Sequence, residues 1–352
     1  MDFSVFLLTH AYVYLVILYL IRVVDFFDST DSCGMLSTLT NLFPPKPKWA
    51  VEQMPDLLGQ VIIVTGGNAG IGRETVKALL SHNAKVYMAG RNPEKMQLAI
   101  KELQEETGRE ALPMVVDLAD LSSIKAAAEE FLSKEERLDV LFNNAGAVYP
   151  PVEEITAQGY DMQFGTNVLG HFYFTKLLIP LLLSTAQSSA TRKARVVHTA
   201  SMGHLYVSGI DYHIVEDCPR RRAHSSIQLY FHSKFGNVVI AKEFHRRYSN
   251  RGLVSVSLHP GNTKLDNERH TSLLARVVGL TNPLQSSTQM GALTQLYAGT
   301  APEGVEFGGK YLIPWARIGK ARREANDPNV GQRLWEWLEE QVKKWLDEQA
   351  PE

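Results

Sequence analysis

From residue 58 onward, short apolar runs alternate with longer segments of helical period. Val61-Ile62-Ile63-Val64 predicts a buried strand, and a helix follows over 71–80. The pair repeats as a strand at 86–88 with a helix at 93–106, then a strand at 113–116 with a helix at 121–132. A fourth strand is expected at 140–142, a long helix at 159–183, and a fifth strand at 195–198. A helix over 229–248 and a sixth strand at 253–256 close the pattern. Strands this uniformly apolar are buried on both faces, and their alternation with helices implies parallel pairing.

The expected fold is therefore α/β: one doubly wound, Rossmann-type parallel sheet with helices on both faces, over residues 57–352. Two apolar stretches fall outside this rhythm. Residues 3–21 contain no charged side chain and would span roughly 28 Å as a helix, close to a bilayer core. Asp2 precedes the run, and no small-residue cleavage site follows it. An uncleaved transmembrane anchor over 1–24 is the expectation; a cleaved signal peptide and a helix lying in one leaflet are the alternatives. Arg22, Lys46 and Lys48 all lie on its C-terminal side. The positive-inside rule then puts the remainder in the cytosol, and the endoplasmic reticulum membrane is the expected location. Residues 25–56, with Pro44-Pro45-Lys46-Pro47, read as a tether. Near the C-terminus, Trp335, Leu338, Val342 and Trp345 form one helix stripe, expected to serve core or dimer packing. A homodimer is compatible with it.

Composition narrows the function. The formal net charge of −2 gives no bulk field for nucleic acid, and none is expected as a partner. Arg220-Arg221-Arg222, the one dense basic cluster, reads as a solvated loop. Cys33 and Cys218 lie far apart, which argues against a disulfide framework. His198, His204, His213 and His224 fall in one region without metal-ligand spacing, so no metal is expected.

The first strand runs into Thr65-Gly66-Gly67-Asn68-Ala69-Gly70-Ile71-Gly72. Glycines between a strand and a helix let backbone N–H groups approach a pyrophosphate, and the helix N-terminus adds its positive dipole end. The second strand ends at Arg91, where a fold preferring NAD places an acid for the ribose 2′-OH. A guanidinium there suits a 2′-phosphate, so NADP is expected; NAD is the alternative.

Tyr230 and Lys234 stand four apart on a predicted helix, hence on one face. A free phenol titrates near 10, and a neighbouring ammonium would lower it toward use as an acid/base. The T-G-x-x-x-G-x-G turn and the Y-x-x-x-K pair resemble the short-chain dehydrogenase/reductase family. Five further motifs follow in the same order: Asp117-Leu118, Asn143-Asn144-Ala145-Gly146, Asn167, Ser201 and Pro260-Gly261 with Thr263. The stretch Asn167-Val168-Leu169-Gly170-His171-Phe172 and the anchor resemble its retinol-dehydrogenase-like and fungal secondary-pathway branch.

The resemblance implies a hydride-transferring oxidoreductase acting on an alcohol, ketone or aldehyde. It implies Tyr230 as acid/base, with Lys234 also bonding the nicotinamide ribose. It implies Ser201 on the reacting oxygen and Asn167 holding a relay water. It further implies cofactor contacts from Gly66, Asn68, Gly70, Ile71, Gly72, Arg91, Asp117, Asn144, Gly261 and Thr263. Residues about 262–285 would form a substrate lid. Leu273, Leu274, Val277, Val278 and Leu280 suit either a lipophilic small-molecule substrate or packing on the core. The polar insertion 205–228 is longer than the fold requires and is expected to cover the site. A scaffold that binds dinucleotide without catalysis is the competing function; the intact Ser201, Tyr230, Lys234 and Asn167 set argues against it.

Overall fold

The computed structural model describes residues 44–263 and 286–349. The expected anchor at 1–24, most of the tether, and the lid at about 262–285 apart from Asn262 and Thr263 lie outside the described residues. The chain divides into Met1–Pro45 and Lys46–Glu352, and the second unit is the subject here.

Eight strands form one sheet in the order β3-β2-β1-β4-β5-β6-β7-β8. They are β1 Val61–Thr65, β2 Lys85–Gly90, β3 Leu112–Val115, β4 Val140–Asn143, β5 Ala194–Thr199, β6 Leu253–Leu258, β7 Tyr311–Ile313 and β8 Arg317–Gly319. All neighbours pair in parallel except β7 with β8. The helices are α1 Gly70–Ser81, α2 Pro93–Thr107, α3 Leu121–Lys134, α4 Met162–Ser188, α5 Ser226–Tyr248, α6 Thr288–Thr300 and α7 Pro328–Glu348.

The period-2 geometry of a strand sorts the core into two layers. Val61 and Ile63 point into the layer beneath α3, α4 and α5, while Ile62 and Val64 point into the layer beneath α1, α2 and α6. Both layers are apolar, which is why the strands read as continuous hydrophobic runs. The winding reverses between β1 and β4, so the loops after these strands splay apart and leave a crevice at their C-terminal ends.

Several boundaries differ from the sequence expectation. β3 starts one residue earlier. β7 and β8 carry three residues each, too short for a periodicity to register. The long helix begins at Met162, not 159. Gly159 is held at φ +82°, and Asp161 caps the helix through the N–H groups of Gln163 and Phe164. Within it, Gly165–Gly170 forms a π-helical turn. α4 is also long and apolar enough to cross a membrane, but 72% of its apolar window is buried inside the protein. The folded unit starts before residue 57, because Trp49 and Met54 are buried in the core beside Leu57. The stripe on α7 packs inward: Trp335 sits edge-on to Phe244 of α5 at 5.0 Å, which makes it core.

Candidate active site

The turn after β1 closes without room for side chains. Gly66 and Gly70 have φ of +66° and +53°, a region that costs an L-residue strain. A Cβ on Gly72 would stand 2.1 Å from the Gly66 carbonyl. The turn is tied across the switch point to β4. Thr65 Oγ1 accepts the Asn144 and Ala145 N–H groups at 2.9 and 3.0 Å, and Asn144 Nδ2 donates to Thr65 O at 2.8 Å. Gln295 of α6 donates to Asn144 Oδ1 at 3.2 Å and accepts from Thr199 Oγ1 at 2.9 Å. Asn144 thus braces the turn. Ile71 lies against α6, its Cγ1 2.9 Å from where a Cβ on Gly291 would be. Asn68 Oδ1 stands 3.2 Å from a notional Cβ on Gly90 at the end of β2.

Arg91 follows Gly90, exposed and without an ion pair among the described residues. Asp117, after β3, accepts the Ala119 N–H on Oδ1 at 2.9 Å. Across the crevice, Gly261 takes φ +91°, and a Cβ there would meet the Trp315 ring at 2.7 Å. Thr263 is buried and pairs with Ser286. A narrow glycine cradle at a helix N-terminus, with a free guanidinium at the neighbouring strand end, fits a dinucleotide.

The remaining site residues converge on the other side of the crevice. Ser201 ends the stretch after β5; its Oγ accepts the Gly203 N–H at 3.1 Å, and its proximity to Tyr230 of α5 favours the ionised phenol. Lys234, one turn further, lies 5.6 Å from the Tyr230 ring centroid and donates to Thr199 O at 2.8 Å. Gly146 leaves this corner open: a Cβ there would come 3.5 Å from Lys234 Nζ and 3.3 Å from Asn167 Oδ1. Asn167 sits inside the π-helical turn. Its side chain bonds both backbone groups of Ala147, at 2.8 and 3.1 Å, and donates to Ser233 Oγ at 2.9 Å. Its carbonyl accepts from Asn237 Nδ2 at 2.6 Å and from His171 Nδ1 at 3.2 Å. The carbonyl of Asn167, the residue expected to hold a relay water, is thus engaged by two side chains of this chain.

The electrostatics also depart from expectation. Burial raises the Tyr230 phenol above its usual range, the Tyr149 hydroxyl adds to this, and only Ser201 opposes it. Burial also lowers Lys234, to about 7. Tyr230 thus stands protonated at neutral pH beside a hydroxyl that can share the same carbonyl oxygen. That pair can donate a proton and a hydrogen bond to one atom.

Tyr149, in the loop after β4, packs its ring on Tyr230 at 4.8 Å. Only its place shortly after Asn143-Asn144 signals it in the sequence. Tyr311 and Gln295 come from distant elements and leave no local pattern, whereas His171 lies one turn after Asn167 in the motif read from the sequence. His232 turns away from the phenol and stacks on Phe164 at 5.0 Å. In the insertion, the arginine triplet expected to be a solvated loop forms the short helix Pro219–Arg222, in which Arg220 and Arg222 are exposed. Arg221 is instead fully buried and paired with Asp161 at 3.2 Å and Asp217 at 2.8 Å. It ties the insertion to the start of α4.

The family model for short chain dehydrogenases matches residues 60–209. A short-chain dehydrogenase/reductase of Armillaria gallica is 52% identical, covering 88% of this chain and 98% of its own length. Retinol dehydrogenase 11 of Homo sapiens is 34% identical over 80% of this chain and 85% of its own. A short chain dehydrogenase from Escherichia coli CFT073, solved with NADPH, shares 25% identity. It superposes with a TM-score of 0.55, covering 73% of this chain and 97% of the other. The chain belongs to the short-chain dehydrogenase/reductase family, in the branch that includes fungal members and retinol dehydrogenase 11. It is a dinucleotide-dependent oxidoreductase with a small-molecule substrate.

Proposed function

We propose that this oxidoreductase uses NADP to interconvert an alcohol with a ketone or aldehyde on a lipophilic small molecule. The observation that carries the reading is the hydroxyl pair of Ser201 and Tyr230 beside the buried Lys234 amino group. Ser201 holds the substrate oxygen, and Tyr230 supplies its proton in reduction or takes it back in oxidation. Bound nicotinamide supplies or accepts the hydride. Lys234, fixed through Thr199, orients the cofactor side of the site, and Asn167 fixes the wall at Ala147. Gly66, Gly70 and Gly72 admit the pyrophosphate, with Asn68, Ile71, Asp117, Asn144, Gly261 and Thr263 around it.

The free Arg91 guanidinium supports NADP, as does the NADPH in the Escherichia coli relative. The likeness to a retinol dehydrogenase supports a lipophilic substrate. The charge-free run at 3–21 supports a membrane tether with the domain in the cytosol. The test is a screen of the full chain with NADPH against decanal, 2-decanone, benzophenone and all-trans-retinal. Turnover of at least one is expected. Tyr230→Phe should then reduce it by about 10²–10⁴-fold while NADPH binding persists. A Phe variant with near-normal rate would falsify the mechanism.

A further inference from the structure

Three peptide groups of Thr199–Ser201 are held. Lys234 Nζ donates to Thr199 O at 2.8 Å, and Ala200 N donates to Leu258 O at 2.7 Å. Ser201 O accepts from His204 Nδ1 at 2.7 Å, from the His204 backbone N–H at 3.2 Å and from the Tyr311 hydroxyl at 3.4 Å. The far side of the His204 ring has its own partner: the Arg322 backbone N–H donates to Nε2 at 3.2 Å. An amide N–H is only a donor, so Nε2 must be the bare nitrogen and Nδ1 must carry the proton. That is the tautomer able to donate to the serine carbonyl. Burial lowers His204 to about 4, so the ring stays neutral in the physiological range. The Arg322 guanidinium also donates to Leu205 O and pairs with Glu324. The segment after β8 is thereby clamped onto the short helical turn Met202–Tyr206 that follows the serine.

We infer that His204 is a positioning residue for Ser201: its Nδ1–H holds the serine carbonyl, and the Arg322 amide keeps the proton on that nitrogen. The inference rests on the proposed role of Ser201 at the reacting oxygen. His204 acts through the serine and does not itself reach that oxygen. Rotating the Ser201 peptide would swing its hydroxyl away from Tyr230, and sub-ångström placement governs such steps.

The two ring nitrogens can be tested separately in the full chain, with NADPH and whichever carbonyl compound of the screen above turns over fastest. His204→Asn keeps a donor near the Nδ1 position and gives up the Arg322 contact. His204→Gln keeps an acceptor near the Nε2 position and gives up the Ser201 contact. The Gln variant should lose about ten- to a hundredfold in kcat, and the Asn variant should recover most of that rate. NADPH affinity should stay constant in both. In a Ser201→Ala background, His204→Gln should add little further loss, because both changes remove one interaction. Equal losses in Asn and Gln, losses that add to Ser201→Ala, or NADPH binding that fails along with the rate would each overturn the inference. A wild-type chain inactive on every compound would overturn the proposed function, and this inference with it.

Discussion

The two sides of the crevice are built from different materials. On the side after β1, the site is backbone: Gly66, Gly70 and Gly72 bring the chain to within 2.1 Å of where one missing Cβ would be. On the side after β5, the site is side chains: Lys234, Asn167, Asn237 and His171 are buried polar groups, each bonded to a carbonyl. The first side fails when an atom is added. The second fails when an atom is removed, because a buried polar group left without its partner carries its full desolvation cost.

This contrast can be broken or sharpened experimentally, and the largest effect is expected on the side-chain half. Lys234→Met should lower turnover by about 10²–10⁴-fold by removing the buried amino group beside Tyr230 and orphaning Thr199 O. Steady-state kinetics with NADPH check it; a loss under tenfold would remove Lys234 from the machinery. Gly72→Ala tests the backbone half. Its methyl must displace the Gly66 carbonyl, an overpacking cost of about 1–3 kcal/mol that should appear as weaker NADPH binding. Unchanged affinity by fluorescence titration would mean that the turn yields freely. Arg91→Ala should weaken NADPH by roughly 1.5–3 kcal/mol, the range for a charged hydrogen bond, and leave NADH unaffected. A parallel loss of both cofactors would contradict the 2′-phosphate assignment.

A separate effect, on stability and not on turnover, is a pH dependence. Burial holds His171, His198 and His259 down to about 3, and His204 and His232 to about 4. Between those values and about 6.5 the unfolded chain binds more protons than the folded one, so stability rises with pH across this window and is lost on acidification. Denaturant midpoints at pH 7, 6 and 5 should fall steadily, and a flat profile would show that these rings are not buried neutral.

The same contrast explains how much could be read beforehand. The glycine turn, the strand positions up to β6 and the Tyr230–Lys234 pair are local in sequence, and each is legible from spacing. What was not legible is contributed by distant segments. Gln295 reaches Asn144 over 151 residues, and Arg322 reaches His204 over 118. No local period encodes such contacts. Arg221 shows the limit most plainly: three adjacent arginines look alike in sequence, yet one is buried because two carboxylates meet it there. Helical spacing likewise reports that Lys234 is near Tyr230 but not that burial lowers its ammonium to about 7.

The π-helical turn at Gly165–Gly170 has a consequence for length variation in relatives. A π-turn carries one residue more per turn than the α-helix around it. Deleting any single residue between 165 and 170 would leave a regular, well-bonded helix and no obvious defect in folding. Because the extra residue is taken up within that turn, the flanking helix would keep its buried face and only the residues of the turn would shift. Asn167, which lies inside the turn, would be displaced relative to Ala147 and Ser233, its present partners. A one-residue gap at this point in an alignment would therefore mark a homologue with an intact fold and a rearranged wall.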